Sequence, residues 1–338
     1  MPKTRLIVPP EYQPALNIRQ TEVAIKQVKD YFERKLAETL QLTRVSAPLM
    51  VWPESGLNDN LNGVERPVQF DIGLMPGRYA EVVQSLAKWK RMALKRYAFS
   101  LGEGLYTDMN AIRRDDDMDN LHSVYVDQWD WEVIIGKEHR SLAHLETLVG
   151  HIFDVFKCTE AFICAQYPQL KARLPEQIYC VTSSTLEKRW PDLTPREREE
   201  RICREKKAVF ISQIGGNLSN GKPHDHRAPD YDDWNLNGDI LFYYDLLDRP
   251  IEMSSMGIRV DPESLMRQLQ LSHCMSRAAL PFQKSLLQGQ LPLTAGGGIG
   301  QSRMCMFMLG KAHVGEVQAS VWPEQMIAAC HEAGIDLL

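Results

Sequence analysis

The sequence predicts an α/β (α+β) fold in which an antiparallel sheet is flanked by helices. Three observations predict it. Apolar residues recur at intervals of three and four over long stretches, as helices require, with short strand-like runs between them. Several of those runs follow one another directly, which fits antiparallel pairing better than repeated βαβ units. The 338 residues are 44% hydrophobic and 25% charged, enough to bury a sizeable core without disulfides or a structural metal.

Residues 1–16, with prolines at 2, 9, 10 and 14, read as an extended arm, and 17–338 as a single catalytic-sized domain. A helix is expected over 18–40, where Ile25, Val28, Phe32, Leu36 and Leu40 share one face. A strand over 42–46 ends at Ala47-Pro48, and 52–66 is a loop rich in Gly, Asn and Pro. A helix is expected over 81–98, then strands over 105–114 and 123–132 around a polar loop at 115–121. The stretch 141–208 reads as mostly helical, with Thr194 and Glu197 spaced as a capping box. A strand over 208–214 precedes a long polar loop at 215–238. Strands over 238–245 and 251–260 follow, then a helix near 262–273, a glycine cluster at 296–300 and an apolar helix from Ser302.

Composition excludes several classes. Lys and Arg number 39 against 44 Asp and Glu, a net charge of −5, so a phosphate-tracking nucleic-acid surface is not expected. No run of about 18 apolar residues predicts a membrane span. Seven cysteines without a C-x-x-C pair suit reduced thiols in a cytoplasmic protein. Gly216 to Pro223 approaches a P-loop, but Pro223 stands where a Mg²⁺-binding hydroxyl belongs, so a turn is expected. His224-Asp225-His226 lacks structural-zinc spacing and reads as a solvated loop. Gly296-Gly297-Gly298-Ile299-Gly300 with Arg303 is either a tight strand-to-helix turn or a nucleotide contact of pattern G-x-G-x-G-x-x-R.

Four segments together resemble the signature motifs of class II aminoacyl-tRNA synthetases. They are Val45-Ser46-Ala47-Pro48 after a helix and strand; Ile112-Arg113-Arg114-Asp115-Asp116-Asp117 followed by the strand to Glu132; Gly296 to Gly300 with Arg303; and Ile251-Glu252-Met253-Ser254-Ser255-Met256-Gly257-Ile258-Arg259. Longer stretches are similar to the aspartate–ammonia ligases, the ammonia-dependent asparagine synthetases. These include Gln84-Ser85-Leu86-Ala87-Lys88-Trp89-Lys90, Gly102 to Thr107, His122 to Glu132, Arg227-Ala228-Pro229-Asp230-Tyr231-Asp232-Asp233-Trp234 and Leu236 to Asp239. The resemblance runs from about residue 17 to 324.

The resemblance implies ATP-dependent synthesis of L-asparagine from L-aspartate and ammonia through β-aspartyl-AMP, releasing AMP and diphosphate, by a cytoplasmic homodimer using Mg²⁺. It implies that Arg113 meets the α-phosphate, a task suited to a planar, permanently charged guanidinium. Asp116, Val126, Glu252, Arg259 and Arg303 would complete the ATP site, and Asp239 with Glu252 would bind Mg²⁺ through hard oxygens. Lys90 would hold a substrate carboxylate; Ser85, Gln128, Asp130, Asp232, Ser254 and Ser255 would line the amino-acid pocket. Asp59, in Asn58-Asp59-Asn60-Leu61-Asn62-Gly63, would attract ammonium and take its proton. Without the resemblance, Lys90 is a surface helical lysine and the Asp59 segment a turn-rich loop. The stretch around Trp234 to Leu236 is shorter than the resemblance leads one to expect, as if a covering flap were trimmed.

Three alternatives stand beside this reading. An aspartyl- or asparaginyl-tRNA synthetase would need an anticodon module, for which this short acidic chain shows no segment. A non-enzymatic protein of the same fold would lack Arg113, Glu252 or Arg303, which are all present. A glutamine-dependent synthetase would need a nucleophilic Cys, whereas position 2 is Pro.

Overall fold

The computed structural model describes residues 6–61, 63 and 65–338; residues 1–5 of the expected arm and Asn62 of the Asp59 loop lie outside them. Helix α1 (Ile18–Leu40) is opened by Asn17, whose side chain accepts from Gln20 N in a capping box. Its buried stripe of Ala24, Val28, Phe32 and Leu36 matches the predicted period. Strands β1 (Leu42–Arg44), β2 (Met50–Val51), β3 (Gln69–Asp71) and β4 (Tyr79–Val82) lead to α2 (Ala87–Arg96). Strands β5 (Gly104–Ile112) and β6 (Tyr125–Ile134) precede α3 (Leu142–Gln166), β7 (Tyr179–Thr182), α4 (Ser183–Arg189), α5 (Pro195–Lys206) and β8 (Ala208–Ser212). Then come β9 (Asp232–Tyr244), β10 (Arg249–Arg259), α6 (Pro262–Leu271), α7 (Pro281–Leu287), β11 (Thr294–Gly300), α8 (Gln301–Leu309) and α9 (Glu324–Glu332).

Eight strands form one sheet in the order β1-β5-β6-β11-β10-β9-β8-β7, and β2, β4 and β3 form a small second sheet. Neighbours in the large sheet are antiparallel except for the outer pairs β1–β5 and β7–β8. One face carries the main core. Trp129 and Trp131 of β6 alternate with polar neighbours and meet α1 and α3, with Phe32 stacked on Trp129 at 4.9 Å and tilted against Phe156 at 4.9 Å. The period-2 alternation of β6 therefore sends Gln128, Asp130 and Glu132 to the opposite face.

The structure corrects five expectations. The helix expected over 81–98 begins only at Ala87, because Glu81 sits in β4, paired with Val51 and Gln69. β7 lies within the stretch read as mostly helical. The loop expected to reach residue 238 ends at Tyr231, since β9 starts at Asp232 and runs 13 residues. Trp234 to Leu236 thus lie inside a strand, and no trimmed flap is needed there. The glycine cluster is neither a turn nor a separate loop: Gly296, Gly297 and Gly298 pair with Glu132, Trp131 and Asp130 on one side and with Gly257, Met256 and Ser255 on the other. Gly216 to Pro223 does form a tight turn, closed by Leu218 N donating to Lys222 O at 2.8 Å.

Candidate active site

Opposite the main core, the middle of the sheet floors a cavity of about 280 Å³. Walls come from α2, the segment after β5, the loop around Asp59 and the segment before β9. Asp59, Ser85, Lys90, Arg113, Asp116, Val126, Gln128, Asp130, Asp232, Glu252, Ser255, Arg259 and Arg303 all reach it, although they span almost 250 positions of sequence. The glycines of β11 make the floor possible. A Cβ on Gly296 would overlap the Glu132 carboxylate, and one on Gly298 would stand 2.5 Å from Gln128 Oε1.

One end is a buried charge network in which Asp130 Oδ1 is left without a partner. Lys90 Nζ donates to Trp131 O at 3.0 Å and Gly297 O at 2.9 Å, and lies 3.2 Å from Asp130 Oδ2. Its α2 position points it into the sheet, so it is 1% exposed rather than a surface lysine. Burial pulls its ammonium pKa down, with Asp130 opposing and Arg259 adding to the fall. Arg259 bonds Glu132 through Nε at 3.0 Å and Nη2 at 2.7 Å, and also holds Asp232. Burial raises the Glu132 carboxyl, but Arg259 and Lys90 outweigh it and leave it below the usual range. Asp232 stays above that range, because burial exceeds the pull of Arg259. Arg259, expected with the nucleotide, therefore belongs to this end.

The other end is looser. Arg113 Nη2 donates to Gln84 O at 3.3 Å, while its Nε is buried without a partner. Arg303 Nη1 lies 3.5 Å from Glu252 Oε2, with the two side chains 23% and 39% exposed. Burial raises Glu252, but Arg303, Arg227 and Arg113 bring it below the usual range. Burial raises Asp116, against Arg113. Asp239, facing Ser255 across β9 and β10, does not line the cavity. It is held by Arg227, and burial still lifts its carboxyl well above the usual range. Arg227 also donates to Ser255 Oγ at 3.0 Å.

Ser254 is a correction. It falls on the core face of β10 with Met256, 1% exposed, its hydroxyl buried without a partner and away from the cavity. In the His224 segment, expected as a solvated loop, Asp225 and His226 are exposed and only His224 departs from that reading. His224 is buried with Nε2 2.9 Å from Glu199 Oε1, and Asp225 and His226 reach the cavity. Among the described residues no group of three His, Cys, Asp or Glu side chains is placed to hold a metal. Sequence reasoning gave no role to Glu132 or Arg227. Glu132 was findable, as the third polar residue at period two after Gln128 and Asp130; Arg227 carries no local signal.

Asp59 is 3% exposed, and its Oδ1 accepts from Leu61 N at 2.9 Å. Burial raises its carboxyl above the usual range; Lys88 and Arg113 oppose this and Asp230 adds to it.

The family model for aspartate-ammonia ligase matches residues 19–334. The chain belongs to the aspartate–ammonia ligase family. It is 63% identical over 333 residues to an aspartate–ammonia ligase of Ruminiclostridium cellulolyticum, covering 98% of this chain and 99% of the relative. Identity is 61% over 334 residues to that of Clostridium perfringens, with 99% of each covered. Solved structures with the same fold include asparaginyl- and aspartyl-tRNA synthetases. Among them are two asparaginyl-tRNA synthetases. That of Pyrococcus horikoshii with asparaginyl-adenylate gives a TM-score of 0.64 at 14% identity, covering 90% of this chain and 71% of that one. That of Entamoeba histolytica with asparaginyl-adenylate gives 0.61 at 15% identity, covering 89% and 66%. The family thus builds its ligase on a class II aminoacyl-tRNA synthetase fold.

Proposed function

We propose that this chain makes L-asparagine from L-aspartate, ATP and free ammonia. The observation that carries the reading is the family membership over nearly the whole chain, together with a cavity that places a buried charge network beside Arg113 and Arg303. The β-carboxylate of aspartate attacks the α-phosphorus, and the bond to the β-phosphate oxygen breaks to release diphosphate. Ammonia then attacks the acyl carbon of β-aspartyl-AMP, and the C–O electron pair leaves with AMP. Arg113 and Arg303 would face the phosphates, with Asp116 and Val126 beside the nucleotide, and Arg113 would stabilise charge developing at phosphorus. Lys90, Arg259, Ser85, Gln128, Asp130, Asp232 and Ser255 would position aspartate, the cations drawing its carboxylates and the anions its ammonium.

Of the two carboxylates expected to hold magnesium, Glu252 opens to the cavity, whereas Asp239 stands outside its lining, with Oδ1 buried without a hydrogen-bond partner and Oδ2 held by Arg227. Glu252 with ATP phosphates would offer the hard oxygens that suit that ion, and Asp239 would join them once Arg227 turns to the nucleotide. Bound there, Mg²⁺ would neutralise phosphate charge. Asp59 would hold ammonium and accept its proton, leaving neutral ammonia to attack.

Residues 17–338 would act as one catalytic domain behind the N-terminal arm. A homodimer is supported by Leu49 and Met50, apolar and exposed beside Pro48. A cytoplasmic location is supported by seven free cysteines. Among the described residues no helix is long and apolar enough to cross a membrane.

AMP, asparagine and diphosphate are to be followed with ATP, Mg²⁺ and L-aspartate, with and without ammonium. Equal, ammonium-dependent formation of AMP and asparagine is expected. AMP release that ignores ammonium and answers to tRNA would move the chain to the synthetases; no turnover at all would favour a non-enzymatic role.

A further inference from the structure

Behind Asp59 lies a buried ion pair that none of the assigned roles uses. Lys88 Nζ and Asp230 Oδ2 are 3.0 Å apart, with side chains 1% and 0% exposed. Neither residue lines the cavity, yet each has neighbours that do: Ala87 and Lys90 on one side, Tyr231 and Asp232 on the other. A buried pair of this kind carries a large desolvation cost, which makes it a weak device for stability alone.

The Asp59 loop is clamped to both partners. Asn58 Oδ1 accepts from Asp59 N at 3.0 Å and from Gln84 N at 2.9 Å, tying the loop to the segment that enters α2 and Lys88. On the other side, Gly56 packs so closely on Gln283 that a Cβ there would stand 2.7 Å from its Oε1. Gln283 Nε2 in turn donates to Asp230 Oδ2 at 2.7 Å. Two short chains of contacts, one through α2 and one through α7, therefore fix Asp59 relative to the pair.

We infer that Lys88 and Asp230 are positioning residues for the ammonia step: Lys88 places a buried positive charge behind Asp59, the group that would take a proton from ammonium, and Asp230 holds Lys88 in place. The inference rests on the reading of Asp59 as the ammonia site. Among the described residues, other titratable groups acting on Asp59 or on the pair include Arg113, after β5; Tyr231, before β9; Cys274, after α6; and Arg277, whose Nη1 is 3.9 Å from Asp230. Arg113 is the other cation opposing the effect of burial on Asp59, but it faces the phosphate end, where ATP would compete for its charge. Lys88, sealed from the cavity and paired with Asp230, is out of reach of the nucleotide. The sign follows from charge. Removing the cation favours the protonated form of Asp59, so the acid limb of the ammonia step moves to higher pH.

The test is the pH profile of kcat/KM for ammonium in the full-length enzyme. The solution equilibrium between ammonium and ammonia is common to all variants and cancels in the comparison. K88Q/D230N replaces the ion pair by two amides that span the same gap. Its acid limb is expected to move up, because Lys88 acts on Asp59 more strongly than Asp230 opposes it, lowering kcat/KM on that limb about tenfold for each unit of displacement. K88R keeps the charge and keeps the native limb. The profile of aspartate-dependent ATP–diphosphate exchange, which precedes ammonia, keeps its shape in both. If the double variant fails to fold by circular dichroism, D230N alone carries the test, with the limb displaced to lower pH because the anion is gone and the cation remains. Limbs that coincide with the native one overturn the inference. The Asp59 reading has its own control: D59N is expected to abolish ammonium-dependent asparagine formation, and a D59N enzyme with native ammonium dependence overturns that reading whatever Lys88 does.

Discussion

The two ends of the cavity are built on opposite plans. At the end proposed for the amino acid, Lys90, Asp130, Glu132, Asp232 and Arg259 are almost fully buried and pair with one another before any ligand arrives, leaving only Asp130 Oδ1 among their carboxylate oxygens buried without a partner. At the end proposed for the nucleotide, Arg113 keeps an unpartnered Nε, and Arg303 and Glu252 remain partly exposed and paired only at 3.5 Å. The difference follows from what each end would hold. A small zwitterion is recognised by geometry, which a prebuilt network supplies at no reorganisation cost. A polyphosphate with its cation brings several charges of its own, so the protein leaves opposing charges free to be completed. One end therefore couples binding to folding, and the other separates them.

The sharpest way to break that contrast is at Arg259. R259M leaves Glu132 and Asp232 buried without their cation, and loss of about 3–5 kcal/mol of unfolding free energy is expected. Urea unfolding measures it, and a variant as stable as the native chain would show that the network is not structural. The nucleotide end should behave in the reverse way. R113A is expected to lower the rate of ATP–diphosphate exchange about 10²–10³-fold. Its unfolding midpoint should stay near the native value, because the residue is held by a 3.3 Å hydrogen bond to Gln84 O. A large fall in midpoint with little loss of exchange would reverse the assignment of the two ends. The smallest effect tests two faces of one strand. Ser254 has a buried, unpartnered hydroxyl, so S254A should be neutral or stabilising by up to about 1 kcal/mol and leave the KM for aspartate unmoved. S255A removes the hydroxyl that accepts from Arg227 and should raise that KM. Equal effects of the two would contradict the observed facing of β10.

How much of this was legible depends on whether the signal was local. Helix α1 was fully legible, because Val28, Phe32, Leu36 and the Asn17 cap obey rules that hold within a few residues. β9 was legible only from Gly238 onward. Asn235 and Asn237 look like loop residues, yet they sit in a central strand, where tertiary context overrides propensity. The glycines of β11 misled for the same reason, reading as a turn until their neighbours on both sides were known. β2, β3 and β4 are too short to show a period. In the site, residue types were legible through the family resemblance, but their partners were not. Lys90 meets a carbonyl 207 positions away at Gly297, and Lys88 meets Asp230 at a separation of 142, distances over which no local pattern speaks. Ser254 and Ser255 were assigned together because adjacency suggests a shared role, whereas a strand sends neighbours to opposite faces.

The glycine strand has a consequence for any attempt to reshape this enzyme. Gly296 gives its room to Glu132 and Arg259, Gly298 to Gln128 and Asp130, and Gly297 to Met256 and Trp131. Space that would ordinarily belong to one strand is thus tenanted by its two neighbours. A larger residue at any of these positions requires a smaller one across the ladder at the same time, so single changes here meet a steric veto that paired changes do not. Altering which amino acid the pocket accepts is, for this floor, a problem of coordinated substitution on adjacent strands rather than of one well-chosen residue.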